Sequence, residues 1–223
     1  MLSKEIETFA VVISCTALGR DYYRIELGDS AGEIYELTIY EEIMLDYRLV
    51  VGKELDKETF DMLQTSENYQ KAYNYAIGIL TRRMYTEKEI RRKLHERKTA
   101  DDVVCDVVSK LFEIGALNDA TYARLYIESQ IEMGKKSRRQ IISDLYTKGI
   151  SANIVDSLMD LFEESFESAL ITKEIGKLYQ RYSRKDLGDF ELQKRIVHAL
   201  GRKGFEIDEV QKQYKFFIED LEV

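Results

Sequence analysis

The sequence has no proline and no tryptophan, and only two cysteines and two histidines among 223 residues. Average usage of about 5% would place roughly eleven prolines in a chain of this length. Proline breaks helix interiors and central strands. Its absence predicts long helices separated by glycine-marked turns. Cys15 and Cys105 lie far apart and form no CxxC, and His95 and His198 are the only imidazoles. That is too small and too scattered a set for a structural zinc site. In a cytoplasmic protein both thiols are expected to be reduced. No run approaches about 18 uncharged apolar residues, so no membrane span is predicted. The start, MLSKEIETFAVVISC, has acids in the would-be basic region and no small-residue cleavage site, which predicts a cytoplasmic location.

Chemistry is thin as well. LGRD (18–21) and VGKEL (51–55) lack the spacing of a phosphate-binding loop, so no nucleotide or other cofactor is expected. No nucleophile or acid accompanies either histidine at readable spacing, and both fit surface or boundary positions. The Glu pairs read as caps and dipole acids. No catalytic residue and no metal ligand emerges, and the chain is not read as an enzyme.

What is present is charge, unevenly placed. The chain carries 33 Lys and Arg against 41 Asp and Glu, a formal net charge of −8. Residues 1–66 hold 6 basic and 14 acidic residues, whereas 67–223 hold 27 of each. The acidity thus belongs to the first segment, and the remainder is free to carry a basic surface. Residues 80–98, LTRRMYTEKEIRRKLHERK, hold eight basic residues and three acids.

The first segment reads as β. TFAVVISC (8–15), YYRIEL (22–27) and EIYELTI (33–39) are rich in β-branched and aromatic residues and are separated by turn-like stretches, which predicts a three-stranded meander. EEIMLDYRL (41–49) has helical spacing, VGKEL reads as a break, and a helix is predicted from near Asp56. From about residue 67 the period is helical throughout. Blocks starting at Thr86, Ser137 and Leu192 each place an apolar residue at +4 (Ile90, Ile141, Ile196) and +8 (Leu94, Leu145, Leu200). At +12 come Lys98, Gly149 and Gly204, followed by a further helix in each block. The fold class is therefore mainly α: three tandem three-helix repeats forming an elongated stacked body, after a small N-terminal segment containing a β-meander. The predicted segments are 1–66, 67–117, 118–164 and 165–223. TEKE (86–89) and SRRQ (137–140) fit capping boxes. Leu192 cannot cap, so Asp189 is expected to, and an insertion is expected around YSRKDLGD (182–189).

Charge follows the repeat. The middle helices, 86–98, 135–149 and 189–204, sum to +3, +4 and +2, and the last helices, 99–117, 150–164 and 205–223, to −3, −4 and −4. Two columns stand out. At +2 are Lys88, Arg139 and Lys194, about 160° from the buried +4 direction and so facing solvent. At +11 are Arg97, Lys148 and Lys203, about 20° from that direction, with stems lying along apolar surface and charges near a helix C-terminus. The +11 column reads as structural and the +2 column as a candidate binding column. Arg82, Arg83, Arg91, Arg92, Lys135 and Lys136 extend the basic patch. The competing reading is that these cations only pair with neighbouring acidic helices or keep the surface wet. Exposed pairs of that kind contribute about 0–1 kcal/mol each. Tyr73, Tyr75, Tyr122 and Tyr126 sit at helical spacing and default to packing, although tyrosine beside arginine also stacks on exposed bases.

YAIGILTRR (75–83), TEKEIRRKL (86–94), ALNDATYA (116–123) and LYTKGI (145–150), in this order and spacing, resemble the RecX family of recombinase regulators. The strand-rich start ending in GKELD (52–56) looks like that of Firmicutes-type members. The turn at Lys98-Thr99 departs from it, because the family usually keeps glycine in this turn. The resemblance implies three tandem three-helix repeats. It implies a non-enzymatic regulator in DNA repair, recombination and the SOS response, and the chain is read as a monomer. Such a protein binds the RecA filament on single-stranded DNA and hinders its growth, ATPase and strand exchange. Direct binding of single-stranded DNA, or a generic helical scaffold for another protein, are the alternative readings.

Overall fold

The computed structural model describes residues 7–19, 21–162, 164–184 and 188–221. Arg20 of the LGRD turn and residues 185–187 of the expected insertion lie outside the described residues. The chain divides into two compact units, 1–83 with 90–116, and 84–89 with 117–223.

In the first unit, β1 (Ala10–Ala17), β2 (Tyr22–Asp29) and β3 (Ile34–Tyr40) form the expected antiparallel meander. A two-residue strand, β4 (Glu54–Leu55), adds to the free edge of β1 and gives the order β3-β2-β1-β4. The break read at VGKEL therefore contains a short strand, too brief to show a period. Between them lies the short helix α1 (Glu41–Asp46). Ile25, Leu27, Leu37 and Ile39 alternate onto one sheet face, where they meet Phe60 and Leu63 of α2 (Lys57–Leu80). Asp56 caps α2, its carboxylate accepting from the Thr59 N–H at 2.8 Å. The helix runs through the expected boundary at 66/67. There Glu67 is buried and accepts from the Thr38 N–H at 2.7 Å, so α2 is tied to the β3 backbone. α3 (Glu87–Glu96) and α4 (Asp101–Glu113) complete the first three-helix block and bury Ile90, Leu94, Val104, Val108 and Leu111.

In the second unit α5 (Asp119–Met133), α6 (Arg138–Thr147) and α7 (Ala152–Asp156) enclose a core of Ala123, Ile127, Ile141, Leu145 and Val155. The last helix of this block is not continuous. It ends at Asp156, and a 3-10 turn, Met159–Leu161, follows. The Leu158 and Leu161 N–H groups bond three residues back, and the Ser157 hydroxyl donates to the Ile154 carbonyl. α8 (Glu164–Tyr182), α9 (Asp189–Arg202) and α10 (Ile207–Leu221) form the last block around Ile171, Ile175, Ile196, Leu200 and Val210. The N-cap of α9 is Gly188, not the expected Asp189, which sits in the first helical turn, where its charge suits the dipole. With this extra turn, α9 starts ahead of Leu192.

Candidate functional site

The +2 basic column lies on the middle helices, and the first turns of two of them, α3 and α6, are held in the same way. Thr86 and Glu89 form a reciprocal capping box: the Glu89 N–H donates to Thr86 Oγ1, and the Thr86 N–H to Glu89 Oε2. Ser137 and Gln140 do the same in α6. Both hydroxyls are fully buried, and each makes a further bond. Thr86 Oγ1 donates to the Lys148 carbonyl and Ser137 Oγ to the Lys203 carbonyl, each at 2.8 Å. These carbonyls belong to the C-caps of α6 and α9, which no intrahelical donor reaches. One buried hydroxyl thus serves two helix ends.

The +2 column is exposed, as the helix angle predicts, yet two of its three members also lie on that joint. Lys88 Nζ donates to the Thr147 carbonyl at 2.9 Å, and its stem covers Gly149 so closely that a Cβ there would stand 2.6 Å from the Lys88 Cβ. A Cβ on Gly204 would stand 3.5 Å from the Arg139 Cβ. Among the described residues Lys194 has no such neighbour turn, and it lines an open groove.

The +11 cations rest on the first helix of their own block. The Arg97 guanidinium, exposed rather than tucked beside the core, lies 4.3 Å from the Tyr75 ring centroid. Lys148 Nζ lies 5.4 Å from the Tyr122 centroid and 5.6 Å from that of Tyr126. The Tyr122 hydroxyl holds the Lys148 ammonium above the usual lysine range. Lys203 Nζ meets Glu174 Oε2 at 2.6 Å. Glu174 is buried and also bonds Lys177. Burial alone would raise its carboxyl, but the two ammonium hydrogen bonds outweigh burial and hold it below the ordinary range.

The other basic residues divide. Lys136 is engaged inside its block, 2.6 Å from Asp144 Oδ2 and 3.2 Å from the Tyr126 hydroxyl, and these bonds raise its ammonium above the usual range. Arg91 is half-buried, with Nη1 3.5 Å from Cys105 Sγ. Arg92 is exposed and lies 3.7 Å from Glu96. Arg82, Arg83 and Lys135 are exposed. Tyr73, Tyr75, Tyr122 and Tyr126 are half-buried, and the last three serve as platforms for cations.

The +2 column reached Lys194 on α9 but not its neighbours on the same face. Lys194, His198 and Arg202 follow one another at four-residue spacing, which places them on one face, and they line a groove of about 620 Å3. That spacing was a readable signal, masked because His198 was judged alone. Asp119 was also missed. It is buried and accepts from the Glu87 N–H at 2.9 Å, and burial pushes its carboxyl up. Among the described residues no group of three or more His, Cys, Asp or Glu is placed to hold a metal ion. No described helix is long and apolar enough to cross a membrane.

Tandem three-helix blocks that follow a small sheet in the chain, with the middle helices of successive blocks sharing caps, define a helical-repeat protein. Residues 72–111 match the first three-helix domain of RecX, and 118–159 match the second. The regulatory protein RecX of Levilactobacillus brevis is 30% identical over 174 residues, covering 78% of this chain and 65% of that protein. That of Bacillus velezensis is 31% identical over 178 residues, covering 79% and 66%. That of Finegoldia magna is 29% identical over 195 residues, covering 87% and 92%. The chain thus spans slightly less than two thirds of the first two relatives. A crystal structure of regulatory protein RecX superposes with a TM-score of 0.75 at 25% identity, covering 95% of this chain and all of that one. That of RecX from Lactobacillus salivarius gives 0.62 at 26% identity, covering 67% and 96%. The chain belongs to the RecX family of regulatory proteins.

Proposed function

We propose that this protein regulates the RecA recombinase by binding its filament on single-stranded DNA and hindering filament growth, ATP hydrolysis and strand exchange. It acts in the cytoplasm, in DNA repair, recombination and the SOS response, as a monomer and without catalytic residues. The observation that carries the reading is the repeated basic middle helix within blocks that match RecX domains. A periodic surface suits a periodic partner. We take segments 1–66, 67–117, 118–164 and 165–223 as its working parts. Of the basic residues, Arg82, Arg83, Arg92, Lys135 and Lys194 are the exposed members of the interface. Lys88 and Arg139 add their outward atoms to it, and Arg91 and Lys136 support it from within.

The test is binding to three probes: RecA filament on a poly(dT) strand, RecA alone, and the strand alone. Tightest binding to the filament supports the reading. Equal affinity for the bare strand replaces it with direct single-strand binding, the reading that the exposed arginines and lysines also favour. In that case, neutralising about five phosphates gives a slope of log K against log salt near −3.5. Binding to none of the three leaves a scaffold for another protein.

A further inference from the structure

We propose that the exposed face of α9 is a docking surface for the C-terminal turn of a helix in a partner protein, a turn closed by glycine in the left-handed conformation. The inference does not depend on which protein that is, or on the RecA reading.

The same helix face is occupied twice in this chain. On the first turn of α3 sits the end of α6, its C-cap carbonyl bonded by Thr86, its Thr147 carbonyl bonded by Lys88, and Gly149 beneath the Lys88 stem. On the first turn of α6 sits the end of α9, its C-cap carbonyl bonded by Ser137 and Gly204 beneath Arg139. Both seated turns close through glycine at positive φ, 91° at Gly149 and 83° at Gly204. By register, Lys194 stands on α9 where Lys88 and Arg139 stand on α3 and α6. Here the face is open. A groove of about 380 Å3 is lined by Phe190, Gln193, Lys194, Val197, His198 and Ile207. Phe190 is 78% exposed and Ile207 50%, an exposed apolar pair on the groove.

Charge indicates the occupant. The last carbonyls of a helix carry the negative end of its dipole and lack intrahelical donors. Lys194 offers them the ammonium that Lys88 gives to Thr147. Leu192, buried in the position of Thr86 and Ser137, supplies no hydroxyl, so Lys194 and the apolar contact carry the docking. A second copy is a poor occupant. Its own unmatched middle-helix turn, at the end of α3, has Lys98 in place of glycine, and a Cβ there meets the obstruction seen over Gly149. A nucleic acid strand, whose bases stack on exposed aromatic rings beside cations, is the competing occupant that the oligonucleotide probe below tests.

The probe is a peptide of residues 137–151, SRRQIISDLYTKGIS, with Arg139→Glu and Ser143→Lys joined by a side-chain lactam that holds it helical, checked by circular dichroism. It is titrated into the 15N-labelled full chain. Saturable shifts are expected at Phe190, Lys194, Val197 and Ile207. The equally helical Gly149→Ala peptide is expected to bind at least about tenfold more weakly. The same loss is expected for the wild-type peptide on Lys194→Glu or Phe190→Ser protein, both altered at exposed positions so that the spectrum reports an intact fold. The proposal is overturned if the helical peptide moves none of these signals, if the alanine peptide binds equally well, or if a dT oligonucleotide moves them and the peptide does not. The peptide outcomes leave the RecA reading where it stood, and oligonucleotide shifts bear on the single-strand alternative to it.

Discussion

The hydroxyl of Thr86 donates to the backbone carbonyl of Lys148 at 2.8 Å across 62 positions of sequence, and the Ser137 hydroxyl repeats the bond to Lys203. In both places the start of one middle helix closes the end of the next. The bond is buried, short and made to an otherwise orphaned carbonyl, so its loss leaves a desolvated acceptor.

Thr86→Val and Ser137→Ala should each destabilise the protein by about 1–3 kcal/mol, since each removes an N-cap together with the bond to the next helix end. Urea unfolding checks this through a lower midpoint at unchanged slope. An unchanged midpoint would show that water or a neighbour replaces the hydroxyl.

Gly149→Ala and Lys98→Gly should act in opposite directions. At 149 a Cβ meets Lys88 at 2.6 Å on a backbone with φ of 91°, so alanine should cost about 2–4 kcal/mol. Lys98 already holds φ at 61°, and no earlier middle helix stands over it, so glycine there should stabilise by about 1 kcal/mol. Thermal unfolding of the two variants decides it.

Glu174→Gln should weaken the last block in a pH-dependent way. Its folded carboxyl is held below the ordinary range, so its contribution is present above the unfolded pKa and is lost as pH falls through the folded one. Lys177 and Lys203 are about half exposed, which limits the loss at neutral pH to about 1–2 kcal/mol. Unfolding curves of the variant and wild type should converge between about pH 5 and about pH 2. A gap that persists at the acid end would trace the effect to packing instead.

Charge reversal should separate joint from interface. Lys88→Glu removes a donor to the Thr147 carbonyl and should lower stability by about 1 kcal/mol as well as weaken partner binding. Arg82→Glu and Lys135→Glu, at exposed positions, should leave the unfolding midpoint within about 0.5 kcal/mol and weaken binding alone. Parallel melts and filament titrations distinguish the two groups.

The helical period revealed the three blocks because the +4 and +8 positions are buried in every one of them, from Ile90 and Leu94 to Ile196 and Leu200. The capping boxes at Thr86 and Ser137 were legible because capping is local. What escaped depends on a neighbour. Helix angle places Lys88 outward on its own axis but cannot show that Gly149 lies under its stem. The same fact makes sense of the changed turn at Lys98: a Cβ meets a hard obstruction at Gly149, under the Lys88 stem, and a tight contact with Ser137 Oγ at Gly204, both beneath a preceding middle helix. β4 was hidden by its two-residue length, and the interruption after α7 leaves the apolar spacing at Val155 and Phe162 intact.

The central claim is that an exposed basic repeat surface acts on the RecA filament. ATP hydrolysis by RecA on single-stranded DNA, titrated with this protein, tests it most directly. Inhibition at substoichiometric ratios is predicted, with the curve moved to higher concentration by Arg82→Glu combined with Lys135→Glu. Unchanged hydrolysis at equimolar protein would contradict the account.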